Sequence, residues 1–111
     1  MNIGIIGQGF VGSAIREGLR DFYKINTFDI DESKCNSTHK WVCLDSDIIF
    51  VCLPTPMRKD GSCDTRILES AIENIEKTCL SEGREGTRPI LVIKSTIPPG
   101  TTDRIGKKYI D

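Results

Sequence analysis

Asn2-Ile3-Gly4-Ile5-Ile6-Gly7-Gln8-Gly9-Phe10-Val11-Gly12 is the stretch on which the fold turns. Residues Asn2 to Ile6 form a short apolar, β-branched run closed by glycine, the pattern of a strand buried on both faces. Past the glycines, Val11, Ala14, Ile15, Leu19 and Phe22 recur in steps of three and four. That period predicts a helix with one face on a sheet and with Arg16, Glu17, Arg20 and Asp21 on its wet side. Ile25 to Asp29 predicts a second strand after a very short link. Strand, helix and strand within 29 residues make a βαβ unit with a right-handed crossover.

Working outward, Asp31 to Asn36 is polar and predicts a loop, and Ser37 to Ser46 predicts a short helix with Trp41 and Leu44 turned inward. Asp47 to Leu53 is the clearest strand; Pro54 and Pro56 stop it, because neither ring nitrogen can donate to a ladder. A loop around Asp60-Gly61 leads to a helix from Thr65 to Leu80. Ile67, Leu68, Ala71, Ile72, Ile75 and Cys79 share its apolar face, and Asp64 is its candidate N-cap. Gly83 and Gly86 mark the exit, and Pro89 leads into a strand from Ile90 to Lys94. Ser95 to Gly100 predicts a turn, Thr101 to Lys108 a helix and Tyr109-Ile110-Asp111 the opening of a further strand. The expected fold is α/β and Rossmann-like, an open, mainly parallel sheet flanked by helices, with residues 1–111 as one domain.

Composition narrows the function. Fifteen basic side chains against sixteen acidic ones give a net charge of −1, and no basic stripe exists to displace counterions from nucleic acid. No apolar run approaches the roughly 18 residues that span a bilayer, and Met1 to Gly7 is too short and uncharged for a signal peptide. Five cysteines (Cys35, Cys43, Cys52, Cys63, Cys79) and the single His39 contain no Cys-x-x-Cys pair. The expectation is reduced thiols, no metal site, a cytoplasmic protein, and Cys52 as plain core. The unpaired edges of an incomplete sheet leave a homo-oligomer open.

Gly7-Gln8-Gly9-Phe10-Val11-Gly12 matches Gly-x-Gly-x-x-Gly in the setting that gives the motif meaning, after a strand and opening a helix. Gly7 is expected to permit the tight turn, Gly9 to let a pyrophosphate approach the backbone, and Gly12 to let the helix lie close to the strand. The anion would rest on the N–H groups of the helix start, where the dipole is positive. Asp29 follows 17 residues after Gly12. A carboxylate there can accept from both hydroxyls of an adenosine ribose and repels a 2′-phosphate, which points to NAD rather than NADP. No arginine follows closely; Lys34 is the nearest base and is read as solvated. Two stiff, hydroxyl-bearing corners, Pro54-Thr55-Pro56 and Ser95-Thr96-Ile97-Pro98-Pro99-Gly100-Thr101-Thr102, are expected to meet the glycine turn at the carboxyl edge of the sheet. There Thr55 and Thr96 are expected to touch the ligand, and Thr101 and Thr102 either touch it or cap the last helix.

Together the glycine turn, Phe28-Asp29-Ile30-Asp31, Ser46 to Pro56 and Ile93 to Thr102 resemble the amino-terminal domain of the UDP-glucose/GDP-mannose dehydrogenase family. The resemblance spans nearly the whole chain, and its two proline corners are more specific than the glycine turn. It implies oxidation of a sugar C6 alcohol to a carboxylate with two NAD reduced. The cofactor-binding set it implies is Gly7, Gly9, Phe10, Val11, Gly12, Asp29, Pro54, Thr55, Ser95 and Thr96, with Thr96 near the nicotinamide in a supporting catalytic role. The family often has tyrosine in place of Phe10, so a hydroxyl contact is absent here.

Two departures follow. Between Asp29 and Asp47 only 17 residues intervene, where the family usually has a longer helix and another strand. A trimmed sheet is therefore expected, without the usual third strand, in the order 25–29, 2–6, 48–52, 90–94. In addition, the family's catalytic cysteine lies beyond the second proline corner, and none of the five cysteines here occupies that place. The chain is thus expected to bind NAD without completing the reaction, with a nucleotide sugar left open as a second partner. The alternatives are a non-catalytic nucleotide-sensing module that reports to a partner, or the front end of a β-hydroxyacid-type dehydrogenase; the Pro54-Thr55-Pro56 corner and Pro98-Pro99 argue against the latter.

Overall fold

Among the described residues four parallel strands carry the architecture: β1 (Asn2–Ile6), β2 (Lys24–Phe28), β3 (Ile48–Val51) and β4 (Ile90–Ile93). They lie in the order β2-β1-β3-β4, the trimmed sheet expected from the sequence. The computed structural model describes residues 1–62, 64–84 and 88–94. The turn, helix and strand expected beyond Lys94 lie outside the described residues. Helices α1 (Phe10–Leu19), α2 (His39–Asp45) and α3 (Arg66–Ser81) connect the strands. The chain steps from β1 to β2 on one side and then returns to β3 on the other. Right-handed crossovers in opposite directions put α1 on one face and α2 with α3 on the other.

The core lies between the sheet and α2 with α3. Ile6, Ile49 and Val51 meet Val42, Cys43, Leu68, Ile72, Ile75 and Cys79 there, all buried. Gly4 sets how closely α2 approaches: a Cβ on it would stand 2.8 Å from Val42 Cγ1 and 2.5 Å from Ser46 Oγ. Val42 and Cys43 therefore face inward and Trp41 does not. Trp41 is 46% exposed, with Lys24 Nζ 5.3 Å from its ring centre, and Leu44 is half-buried. The expectation that Trp41 turns inward is thus corrected.

On α1 the expected apolar face is only partly covered. Ile15 and Leu19 are half-buried, whereas Val11 and Ala14 are exposed and Arg16, expected on the wet side, is half-buried. The helix ends at Leu19, so Phe22 falls in the following turn, where its N–H donates to Leu19 O; it is 77% exposed. Cys52 is half-buried rather than core, because β3 ends one residue before it. Asp64 does not occupy the N-cap of α3. Thr65 does, and the Asp64 carboxylate accepts from Arg66 N at 3.1 Å from one residue further out.

Among the described residues β2 is an edge strand, and Asn36 covers its open side. Asn36 Oδ1 accepts from Thr27 N (2.7 Å), Asn36 Nδ2 donates to Ile25 O (2.9 Å) and Asn36 N donates to Thr27 O (3.3 Å) and Thr27 Oγ1 (3.0 Å). One carboxamide thus meets backbone groups that a further strand would otherwise pair, which blunts the edge. The loop expected at Asp31 to Asn36 contains a short 3₁₀ turn at Glu32–Lys34; it holds Asn36 in place.

Candidate functional site

The carboxyl ends of β1, β2 and β3 open into one cleft of about 1100 Å³. Gly7, Gly9, Val11, Asp29, Pro54 and Thr55, six of the expected site residues, line it. Gly12 is buried beneath it, and Phe10 contributes the first residue of α1. Ser95 and Thr96 lie outside the described residues.

The glycines divide the work as their positions require. Gly7 has φ +97, a conformation side chains rarely adopt, and its N–H donates to Phe28 O (2.8 Å), tying the turn to β2. A Cβ at Gly12 would run into the Gly7 carbonyl, whose carbon would stand 3.0 Å away. Gly9 differs: a Cβ there would meet nothing within 4 Å. The fold does not need glycine at that place, whereas a ligand pressed on the backbone would. Gly9 is also the N-cap of α1, with no side-chain cap and no acidic residue in the first turn. The first i→i−4 bond of α1 is Ser13 N to Gly9 O (3.0 Å). The helix therefore supplies no intrahelical partner to the amides of Phe10, Val11 and Gly12. An anion is the natural occupant of such an end.

Asp29 stands beside this turn. Its Oδ2 accepts from Gln8 N (2.6 Å) and its Oδ1 from Asp31 N (2.9 Å). These backbone hydrogen bonds, with Lys34 adding attraction, hold the carboxyl below its ordinary pKa of 3.8 against the opposing effect of burial. A carboxylate offers about four lone-pair directions, so two remain for hydroxyl donors while the others fix the acid to the glycine turn. Gln8 completes the joint: it is buried, its carbonyl accepts from Ser13 Oγ (3.1 Å), and its amide reaches Gly7 O (3.4 Å). Cys35 Sγ lies 3.0 Å from both the N and the O of Asp29. Lys34, read from sequence as solvated, is exposed but does line the cleft.

Several cleft residues were not foreseen as such. Phe28, Ile30 and His39 form its wall beside Asp29, and Arg66, Ile67, Ser70, Ala71 and Asn74 of α3 continue it. The helical period of α3 places Leu68, Ile72, Ile75 and Cys79 in the core, but Ile67, expected with them, is 48% exposed, and the period gives no sign that Ser70 and Asn74 border an opening. His39 enters because α2 starts right there, after a linker too short for the sequence pattern to place. Among the described residues no group of His, Cys, Asp and Glu could hold a metal, and no helix is long and apolar enough to cross a membrane.

Comparison with known proteins bears on this geometry. The UDP-glucose/GDP-mannose dehydrogenase family, NAD binding domain, matches residues 17–111. Uncharacterized protein MJ1054 of Methanocaldococcus jannaschii is 35% identical over 134 residues, covering 95% of this chain and 14% of that protein. The UDP-glucose 6-dehydrogenase AglM of Haloferax volcanii is 28% identical, covering 97% of this chain and 31% of its own length. Both alignments are longer than the chain itself, so these relatives carry residues that it lacks. Among solved structures, a ternary complex of GDP-mannose dehydrogenase from Pseudomonas aeruginosa superposes with a TM-score of 0.81 at 22% identity, over 100% of this chain and 33% of that one. The chain thus spans a third or less of these proteins, and at that identity the structural likeness shows the fold.

Proposed function

This chain belongs to the UDP-glucose/GDP-mannose dehydrogenase family, as an NAD-binding domain, and we propose that the cleft at its sheet edge binds NAD through the glycine turn and Asp29. The observation that carries the reading is the pairing of Gly9 with Asp29. One presents an open backbone at a helix start, and the other is fixed to the same turn by Gln8 N with acceptor capacity to spare. The amides at the start of α1 hold the diphosphate, Asp29 holds the adenosine ribose hydroxyls, and Thr55 borders the path toward the nicotinamide end. Ser95 and Thr96 belong to the same proposal on the resemblance alone. Asp29, with Asp31 beside it, disfavours a 2′-phosphate, so NAD is preferred to NADP.

Bound NAD supplies a hydride acceptor, and these residues bind and orient it. Oxidation of a nucleotide sugar at C6 is proposed only for the whole protein, with a cysteine nucleophile from outside the cleft described here. A reducing, cytoplasmic setting belongs to the same proposal, on the odd count of five cysteines without a Cys-x-x-Cys pair. NADH fluorescence titration tests the reading: saturable binding, weakened at least tenfold in Asp29→Ala, with NADPH binding more weakly than NADH, is the expected result. No saturation, or equal binding by Asp29→Ala, overturns it.

A further inference from the structure

The cleft beside Asp29 has a wall that the glycine motif does not explain. His39 opens α2 and lines the cleft together with Phe28, Asp29 and Ile30. Its imidazole meets the Phe28 ring edge to face, with centroids 5.4 Å apart and planes at 78°. Phe28 immediately precedes Asp29, so the T-shaped pair begins one residue from the carboxylate proposed to hold the ribose. Ile30 lies on the other side of Asp29 in sequence and is 96% exposed; the protein leaves this large apolar side chain uncovered at the cleft.

We propose that His39 is a base-binding residue, whose imidazole, braced by Phe28, forms the face on which the adenine of the dinucleotide packs, with Ile30 supplying apolar cover. The proposal rests on the NAD reading above, because Asp29 places the ribose and so the base beside it. A purine needs flat, weakly polar walls within one sugar of that acid, and the imidazole meets this need. Burial holds the His39 pKa below its ordinary 6.5, so the ring is neutral at pH 7. The ring is kept in orientation by Phe28, and its Nδ1 lies 3.9 Å from Cys43 Sγ. The remaining charged groups of the cleft, Asp64, Arg66 and Lys94, are shared among its other walls.

His39 is the only histidine in the chain, so its imidazole C–H resonances can be followed one by one in NMR spectra of the protein. Adding ADP-ribose at pH 7 should shift them progressively to saturation, at the same midpoint as NADH binding measured by fluorescence. Nicotinamide mononucleotide, which lacks the base, should leave them in place. His39→Ala should weaken ADP-ribose about five- to tenfold, as loss of a stacking partner does, while His39→Phe should stay within about twofold. Melting temperature verifies that both variants fold. If the wild type binds NADH and Asp29→Ala does not, yet the His39 resonances stay fixed, the His39 assignment is wrong while the cofactor reading stands. If the wild type binds neither ligand, both fall together.

Discussion

Gly9→Ala separates what the fold needs from what the ligand needs. A methyl group on Gly9 would meet no protein atom within 4 Å, and its φ of −74 lies outside the left-handed region that favours glycine. Alanine caps a helix less well than glycine, at a cost of about 0.5–1 kcal/mol. It also restricts the unfolded chain, which returns about 0.4–1 kcal/mol. The two nearly cancel, so the melting temperature should move by less than about 4 °C. Binding has no such offset. The methyl group occupies the space a diphosphate needs against the backbone, and moving a phosphate oxygen off one amide loses a charge-assisted hydrogen bond of about 1.5–3 kcal/mol. That corresponds to roughly 10- to 100-fold weaker NADH binding. Isothermal titration beside a thermal melt reads both quantities on one sample. Unchanged affinity in a variant that melts normally would refute the idea that the turn faces a ligand.

Other perturbations should separate in the same way. Gly12→Ala forces a Cβ into the Gly7 carbonyl, an overpacking with little room to relax, and should cost at least about 1–3 kcal/mol in urea unfolding whether or not ligand is present. Asn36→Ala removes two side-chain hydrogen bonds from the edge of β2, which predicts about 1–3 kcal/mol of destabilisation and faster hydrogen exchange at the Thr27 amide. The pKa of Asp29 is lowered by folding, so its contribution is complete above the ordinary carboxylate value of 3.8 and is lost as pH falls through the depressed one. The stability gap between wild type and Asp29→Asn should therefore be full at pH 6 and close as the medium is acidified below pH 3.8; urea melts across that range measure it.

Much of this was legible because several local signals agreed. The apolar run of β1, the glycine spacing and the acid after β2 each predict the same βαβ unit, and the strand order comes from the family resemblance trimmed by the 17 residues between Asp29 and Asp47. What escaped the sequence was set by contacts between elements. The rotation of α2 depends on Gly4 making room for Val42 and Ser46, and a seven-residue helix is too short for its period to reveal which face turns inward, so Trp41 was misplaced. Phe22 carried the right spacing for α1 but lies beyond its end, where spacing no longer has meaning. The pairing of Asn36 with β2 had no signal in the pattern, since a polar loop residue can as easily face water. The sequence pattern marks no role for His39, whose place in the cleft is set by the packing of Phe28 against the start of α2.

The account stands on one arrangement, a diphosphate on the first amides of α1 and a ribose on Asp29. The structure of the protein with NAD bound measures it directly. The account predicts phosphate oxygens within about 2.7–3.2 Å of backbone nitrogens between Gly9 and Gly12, and both adenosine ribose hydroxyls on the Asp29 carboxylate. Dinucleotide seated elsewhere, or a ribose that leaves Asp29 bonded only to Gln8 N and Asp31 N, would contradict it.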